Sequence, residues 1–374
     1  MPSTVVFSLL AFILGVSAIN WVPPFTNVTI FSPPSTYTAP QTSYARTVVI
    51  PSDGKDTNVL LATWQNHSPE PPKVYFHIYR STDLGQSWEP FSNVTDTENN
   101  WGLRAQPFLY RMTERIGKFP AGTILCAGNS IPANGSHTQI DLYASMDKGR
   151  SWEFVSHVAS GGAAIPNNGE TPVWEPSIMT VDHRIVVFYS DQRDPAYGQK
   201  LAHQSSSDLI TWGPVVNDVA KPTYSDRPGM TIIAALPNGQ YILTYEYGGA
   251  PEADFAVYYR LSKSPLTFNS PASAPGAVIR ATTGELPIAS PYVTWTPHGG
   301  VNGTIIVSAS SHQGVFTNTK LAAPGSTWTY VESKAGASYS REVRVLPRND
   351  QILLTGGGPY GGTMNSVTAS ILQL

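Results

Sequence analysis

Residues 44–51 read YARTVVIP, a polar residue set just ahead of a short apolar strand. Five later segments repeat the pattern: LRAQPFLY (103–110), VWEPSIMT (173–180), SDRPGMTI (225–232), IASPYVTW (288–295) and YSREVRVL (339–346). Aligned on the polar residue, they make Arg46, Gln106, Glu175, Arg227, Ser290 and Arg341 equivalent, with gaps of 60, 69, 52, 63 and 51 residues. A second apolar run follows each segment, ending at Trp64, Gly128, Ser190, Glu246, Ser310 and Gly357. A period of this size built from short strands predicts an all-β chain folded as a six-bladed β-propeller. The first strand of each blade lines the channel of a propeller, so the six polar residues should form one ring around a shared pocket. Three arginines and a glutamate in that ring, with a second glutamate one strand away, have the make-up of an active site.

The last repeat supplies only three strands, REVRVLP, QILLTGG and SVTASILQL. The segment NVTIFS (27–32), ahead of the first repeat, is the expected fourth; it closes the ring and removes its exposed sheet edges. Between third and fourth strands the chain carries a turn motif, STDLGQSW (81–88) and SMDKGRSW (145–152), with a worn copy at SSDLITW (206–212). Further worn copies are expected near 261–268 and 317–328. The Asp accepts backbone N–H groups inside the turn, the Gly supplies positive φ, and the Trp packs between sheets. These Asp boxes belong to the outer rim, so their carboxylates are structural.

Composition agrees with a loop-rich β protein: 374 residues, 13% charged, 11% aromatic, 31 Gly and 32 Pro. A net charge of -3 argues against a nucleic-acid partner. The N-terminus MPSTVVFSLLAFILGVSA reads as a signal peptide over residues 1–18, leaving one catalytic domain over 19–374. No other run is long enough to span a bilayer. Sequons begin at Asn27, Asn66, Asn93, Asn134 and Asn302, which agrees with secretion. The single cysteine, Cys126, allows no internal disulfide and reads as a buried apolar residue. Scattered histidines argue against a metal site, and no cofactor is expected. Nothing in the chain calls for more than a monomer.

Glu175 and Glu246 each sit among aromatic and aliphatic residues in a strand expected to be buried. A carboxylate in such a place is either ion-paired, with Arg227 or Arg341 for example, or catalytic. Glycoside cleavage needs a protonated acid at the leaving oxygen and a second carboxylate as nucleophile or base. Blades 3 and 4 are neighbours and can supply the two. The arginines could grip an anionic substrate, donate to sugar hydroxyls or hold a carboxylate in place. Tyr339 can reach the same pocket as a hydrogen-bond donor or a nucleophile. Trp64, Trp101, Trp174, Tyr245, Tyr247 and Tyr292 lie at strand ends near the channel and are candidates for sugar stacking, the first three above all. Asp191, Arg193 and Asp194 line the rim or build its loop.

Taken together, the two Asp boxes, the six repeats, VWEPS and LTYEYGG resemble the fungal family 93 glycoside hydrolases, over nearly all of the chain after residue 18. That resemblance implies an exo-α-1,5-L-arabinanase that releases arabinobiose from linear arabinan with retention. It implies Glu175 as general acid/base, Glu246 as nucleophile and Tyr339 as a supporting donor, with carboxyl groups roughly 5–5.5 Å apart. A sialidase would account for the three arginines and Tyr339. Against it, Tyr44-Ala45-Arg46 lacks the R-I-P that follows the aromatic residue in sialidases. A carbohydrate-binding propeller without catalysis would have no use for two channel carboxylates. A five-bladed, inverting arabinanase does not fit six repeats and Asp boxes. The Gly/Asn/Pro-rich stretch 161–169 is the candidate wall that would enforce exo action.

Overall fold

The computed structural model describes residues 20–52, 58–269 and 276–374; the expected signal segment lies outside them. Those residues form six four-stranded antiparallel sheets and no helix. The innermost strands are Thr42–Ile50, Leu103–Arg111, Val173–Val181, Arg227–Ala235, Tyr292–Thr296 and Glu342–Val345. Each touches the next around the ring, and the sixth touches the first. In blades 1 to 5 the strands run in chain order from channel to rim. Blade 6 takes its outermost strand from the other end of the chain, Val28–Phe31, which pairs Val28 with Ala369 and Phe31 with Val367. The expected closure is therefore present.

The apolar strand residues bury between sheets. One continuous core runs through blades 2 to 6, and blade 1 packs on each side against its neighbours. Both Asp boxes fold as their residues require. Asp83 accepts from Ser81 (2.7 Å), the Ser87 N–H (3.0 Å) and the Ser87 hydroxyl (2.6 Å). Asp147 repeats this with Ser145 and Ser151. Gly85 and Gly149 take φ of 93° and 88°, where a side chain would be strained. The worn copy keeps its carboxylate, with Asp208 accepting from the Ile210 and Thr211 N–H groups. All three turns join third and fourth strands, away from the channel. Of the five sequons, Asn66 is only 3% exposed, so it is not accessible in the folded chain.

Candidate active site

The channel is organised by one backbone device repeated in every blade. At or just before the start of each innermost strand one residue takes a positive φ: Tyr44 (49°), Gln106 (59°), Glu175 (60°) and Met230 (57°) within bulges of blades 1 to 4, and Ser290 (44°) and Ser340 (57°) two residues ahead of the strands of blades 5 and 6. In blades 1 to 4 the register breaks at this point, between Ser43 and Arg46, Ala105 and Phe108, Trp174 and Ser177, and Gly229 and Ile232. The bulge, or the place ahead of the strand, takes the residue's N–H out of the sheet ladder, so it must find another acceptor. The preceding blade provides it. Gln65 accepts from the Gln106 N–H (3.2 Å), Gln106 from Glu175 (3.0 Å), Ser190 from Met230 (3.3 Å), Glu246 from Ser290 (2.7 Å) and Ser290 from Ser340 (2.9 Å).

This register corrects half of the expected ring. Gln106, Glu175 and Ser290 are in it. Arg46 lies two residues past the positive-φ position, Arg227 three before it and Arg341 one after it. Aligning on the polar residue set the register astray in blades 1, 4 and 6, where the positive-φ residue is Tyr44, Met230 or Ser340 and the polar residue lies to one side of it. One residue of slip turns a strand side chain to the opposite face. Arg341 accordingly points into the junction of blades 5 and 6. Its guanidinium donates to the carbonyls of Gln313 (2.6 Å), Gly336 (3.3 Å), His312 (3.1 Å) and Gly314 (2.7 Å). It is a scaffold residue and not a substrate ligand. Trp64 fails for the same reason. Gln65 is the true partner of Ser43, so Trp64 faces the core, stacked 4.9 Å from Phe31 and fully buried.

Arg46 stays on the channel side, one layer deeper. It donates to Ser340 through both the carbonyl (2.7 Å) and the hydroxyl (2.7 Å), and its guanidinium lies 5.3 Å from the Tyr292 ring. Tyr292 is thus beneath the pocket and donates to Glu342 (3.1 Å). Tyr245 is fully buried in blade 4. Tyr247 donates to Asp226 at 2.6 Å. Trp101 sits on the loop organised by Asp96 and packs 5.6 Å from His137. Among the described residues no hydrogen bond or ring contact joins Trp101 to the carboxylates.

Glu175 and Glu246 lie within electrostatic reach of each other. Tyr44, Arg46, Gln106, Glu175, Met230 and Ser340 are among the residues lining the narrow central pocket. Glu175 accepts from the Tyr44 hydroxyl (3.2 Å), the Ser190 hydroxyl (2.8 Å) and the Met230 N–H (3.2 Å). Burial raises its pKa, and those three donors pull it back. Glu246 projects from the second strand of blade 4 opposite Gly229, where a Cβ would stand 3.2 Å from its Oε1. Burial and the nearby Glu175 carboxylate push Glu246 up to about 8. Among the described residues neither glutamate forms an ion pair, so the structural explanation for their burial does not hold.

Tyr339 precedes the positive-φ residue of blade 6. Its ring meets Tyr44 edge-on at 5.4 Å, and its hydroxyl donates to the Met230 sulfur (3.3 Å). Burial, then Glu246 and Glu175, hold the phenol well above its usual range. Above the carboxylates, Arg227 donates to Asn168, Gln192 (3.2 Å) and Gln199 (2.8 Å), within electrostatic reach of both glutamates. Gln192 also accepts from the Trp174 indole N–H (3.0 Å) and donates to the Asn167 carbonyl (2.9 Å). Tyr44, Ser190, Asn168, Gln192 and Gln199 were not singled out from the sequence. Tyr44 and Ser190 are recoverable once the bulge, and not the polar residue, sets the alignment. Asn168 falls within the 161–169 stretch read as the wall, whereas Gln192 and Gln199 carry no local signal.

Four closely similar solved structures carry the comparison further. One is an α-L-arabinanase of Penicillium chrysogenum in complex with arabinobiose, 48% identical over 94% of this chain and 99% of that one, at a TM-score of 0.89. Another is the family 93 α-L-arabinofuranosidase of Fusarium graminearum, also with arabinobiose, 47% identical over 94% and 98% with a TM-score of 0.88. The chain belongs to glycoside hydrolase family 93. A sialidase of Streptococcus pneumoniae, at 10% identity and a TM-score of 0.57 over 94% of this chain and 71% of its own, shares the propeller fold alone. No family model and no curated protein matches the chain. For a family 93 member the layout has a clear logic: Glu175 sits at the positive-φ position of blade 3, and Glu246, on the second strand of blade 4, accepts the N–H of the corresponding residue of blade 5, Ser290.

Proposed function

We propose that this chain is a secreted, retaining exo-glycosidase that releases arabinobiose from the non-reducing end of linear α-1,5-L-arabinan. The observation that carries the reading is the buried pair itself. Glu175 is surrounded by three donors, whereas burial and the neighbouring carboxyl lift Glu246 to about 8, so the two carboxyls differ in environment, as two-step glycoside cleavage needs. The relatives bound to arabinobiose supply the substrate class. Four sequons outside the core, at Asn27, Asn93, Asn134 and Asn302, and the apolar segment at residues 1–18 favour export.

In the roles that the resemblance implies, Glu246 attacks the anomeric carbon while Glu175 protonates the departing oxygen. Water, deprotonated by Glu175, then breaks the ester and restores both groups. With Glu246 the more raised of the two, the assignment requires the proton to reside on Glu175 as the glycosidic bond breaks. Positive charge developing on the sugar stabilises an ionised Glu246 and supplies that drive. The reverse assignment rests on the same raised Glu246. Azide separates them: with an activated aryl arabinoside, the acid/base variant gives a glycosyl azide of retained configuration and the nucleophile variant one that is inverted.

The Asn167–Asn168 stretch, tied to Gln192 and Arg227, is the proposed wall that makes the action exo. A sialidase reading loses its main support, because Arg341 is spent on carbonyls and Arg46 on Ser340. The test compares debranched linear arabinan with sialyl-lactose for wild type, Glu175→Gln and Glu246→Gln. Arabinobiose as sole early product, lost in both variants, is expected. Sialic acid release would overturn the reading, and silence on both substrates would favour a binding module.

A further inference from the structure

Resting on that reading, we propose that Tyr360 is the platform on which the leaving side of the arabinan chain stacks, a subsite across the pocket from the Asn167–Asn168 wall. Tyr and Trp rings, apolar in body and polar at one end, are enriched where a surface meets a partner. Tyr360 is 81% exposed, and Met364 on the same loop is 84% exposed. The one ring contact of Tyr360 is with Tyr339, at 5.1 Å between centroids, and Tyr339 stands beside both glutamates. An exposed aromatic face therefore continues the aromatic lining of the catalytic centre out to solvent.

The loop that carries it is built, not slack. Asn365 is 4% exposed and fills the space left by Gly358 and Gly362, where a Cβ would come within 2.2 and 2.0 Å of it. Its amide donates to the carbonyls of Pro359 (3.0 Å) and Thr42 (3.2 Å). The Gly358 carbonyl in turn accepts the Tyr339 N–H at 2.9 Å, so the loop base and Tyr339 share one frame. Two glycines are given up to wedge the loop, while its two largest side chains are turned outward.

Direction follows from the ring. Blade 6 stands three blades from blade 3, on the far side of the channel from the wall. A chain held at its non-reducing end by the wall must leave toward blade 6, and there the flat face of Tyr360 is available to a furanose ring. The chemistry selected is a neutral sugar face, since no charged group lies on residues 357–366.

The experiment measures kcat and KM for linear arabino-oligosaccharides from trimer to hexamer, with wild type, Tyr360→Ala and Tyr360→Phe. For wild type, kcat/KM is expected to rise with length. In Tyr360→Ala that rise should flatten, by about tenfold at the hexamer and mostly through KM, whereas Tyr360→Phe keeps it because stacking needs the ring and not the hydroxyl. Wild-type behaviour of Tyr360→Ala across the series would overturn the subsite and leave the arabinanase reading standing. So would a fall in kcat alone, which would mean that Tyr360 acts through Tyr339. A wild type inert on every member would overturn both.

Discussion

At the scale of single residues, the pair of glutamates sets catalysis against stability. Glu246 has an ordinary value of 4.5 when free and is lifted to about 8 in the fold, by burial first and by Glu175 second. Between those values the folded chain holds a proton that the unfolded chain has released. The slope of stability with pH is therefore negative: the site weakens the fold as pH rises from about 4.5 to 8, and no longer does so below that window. Glu246→Gln keeps an acceptor for the Ser290 N–H and removes the titration. It should be inactive yet melt higher than wild type, with the gain largest near pH 8 and small at pH 4. Melting curves at both pH values test this; an equal shift at each would mean that the gain comes from packing and not from the proton.

At the scale of the strand, what could be read and what could not come down to one bulge. Six blades, the closing strand and the Asp boxes were legible, because each depends on alternation and turn chemistry spread over many residues. Glu175 and Glu246 were legible because charge in an apolar strand is conspicuous. The register was not. A bulge inserts a residue without marking it, and here it falls on residues as unlike as Tyr44, Gln106 and Met230, none of which is a glycine. A slip of one residue then made a ligand of Arg341, whose four carbonyl acceptors become visible only when blades 5 and 6 are placed together. Removing that side chain leaves buried carbonyls without donors, at about 1–3 kcal/mol for each that water does not reach. Arg341→Ala should lower the melting temperature by several degrees and leave KM for arabinan unchanged. A raised KM with normal melting would return the residue to the substrate.

At the scale of the whole molecule, the site exists only while the ring is shut. Tyr44 comes from blade 1, Glu175 from blade 3, Glu246 from blade 4 and Tyr339 from blade 6, and the contact between Tyr44 and Tyr339 crosses the seam between the two ends of the chain. That seam is held by little chain. Val28–Phe31 pairs with Val367–Gln373, the Asn27 N–H reaches Ser370 (2.9 Å), Gln351 donates to the Val22 carbonyl (2.8 Å) and Phe31 stacks on Trp64. Burial of Val22, Ile30 and Phe31 is worth about 5 kcal/mol. Deleting residues 20–32 removes this and bares the edge of the Val367–Gln373 strand. The deletion should lower the melting temperature by about 10 °C, promote aggregation and abolish activity even where the sheets persist. The two ends already touch, with Trp21 donating to Gln373 at 3.4 Å. A permuted chain that joins them and opens at Val301, which is 99% exposed, keeps every pairing of the seam. If closure is a matter of strand pairing, the permutant retains both melting temperature and activity while the deletion loses both. A deletion as stable and as active as the permutant would mean that the inner strands alone hold the ring.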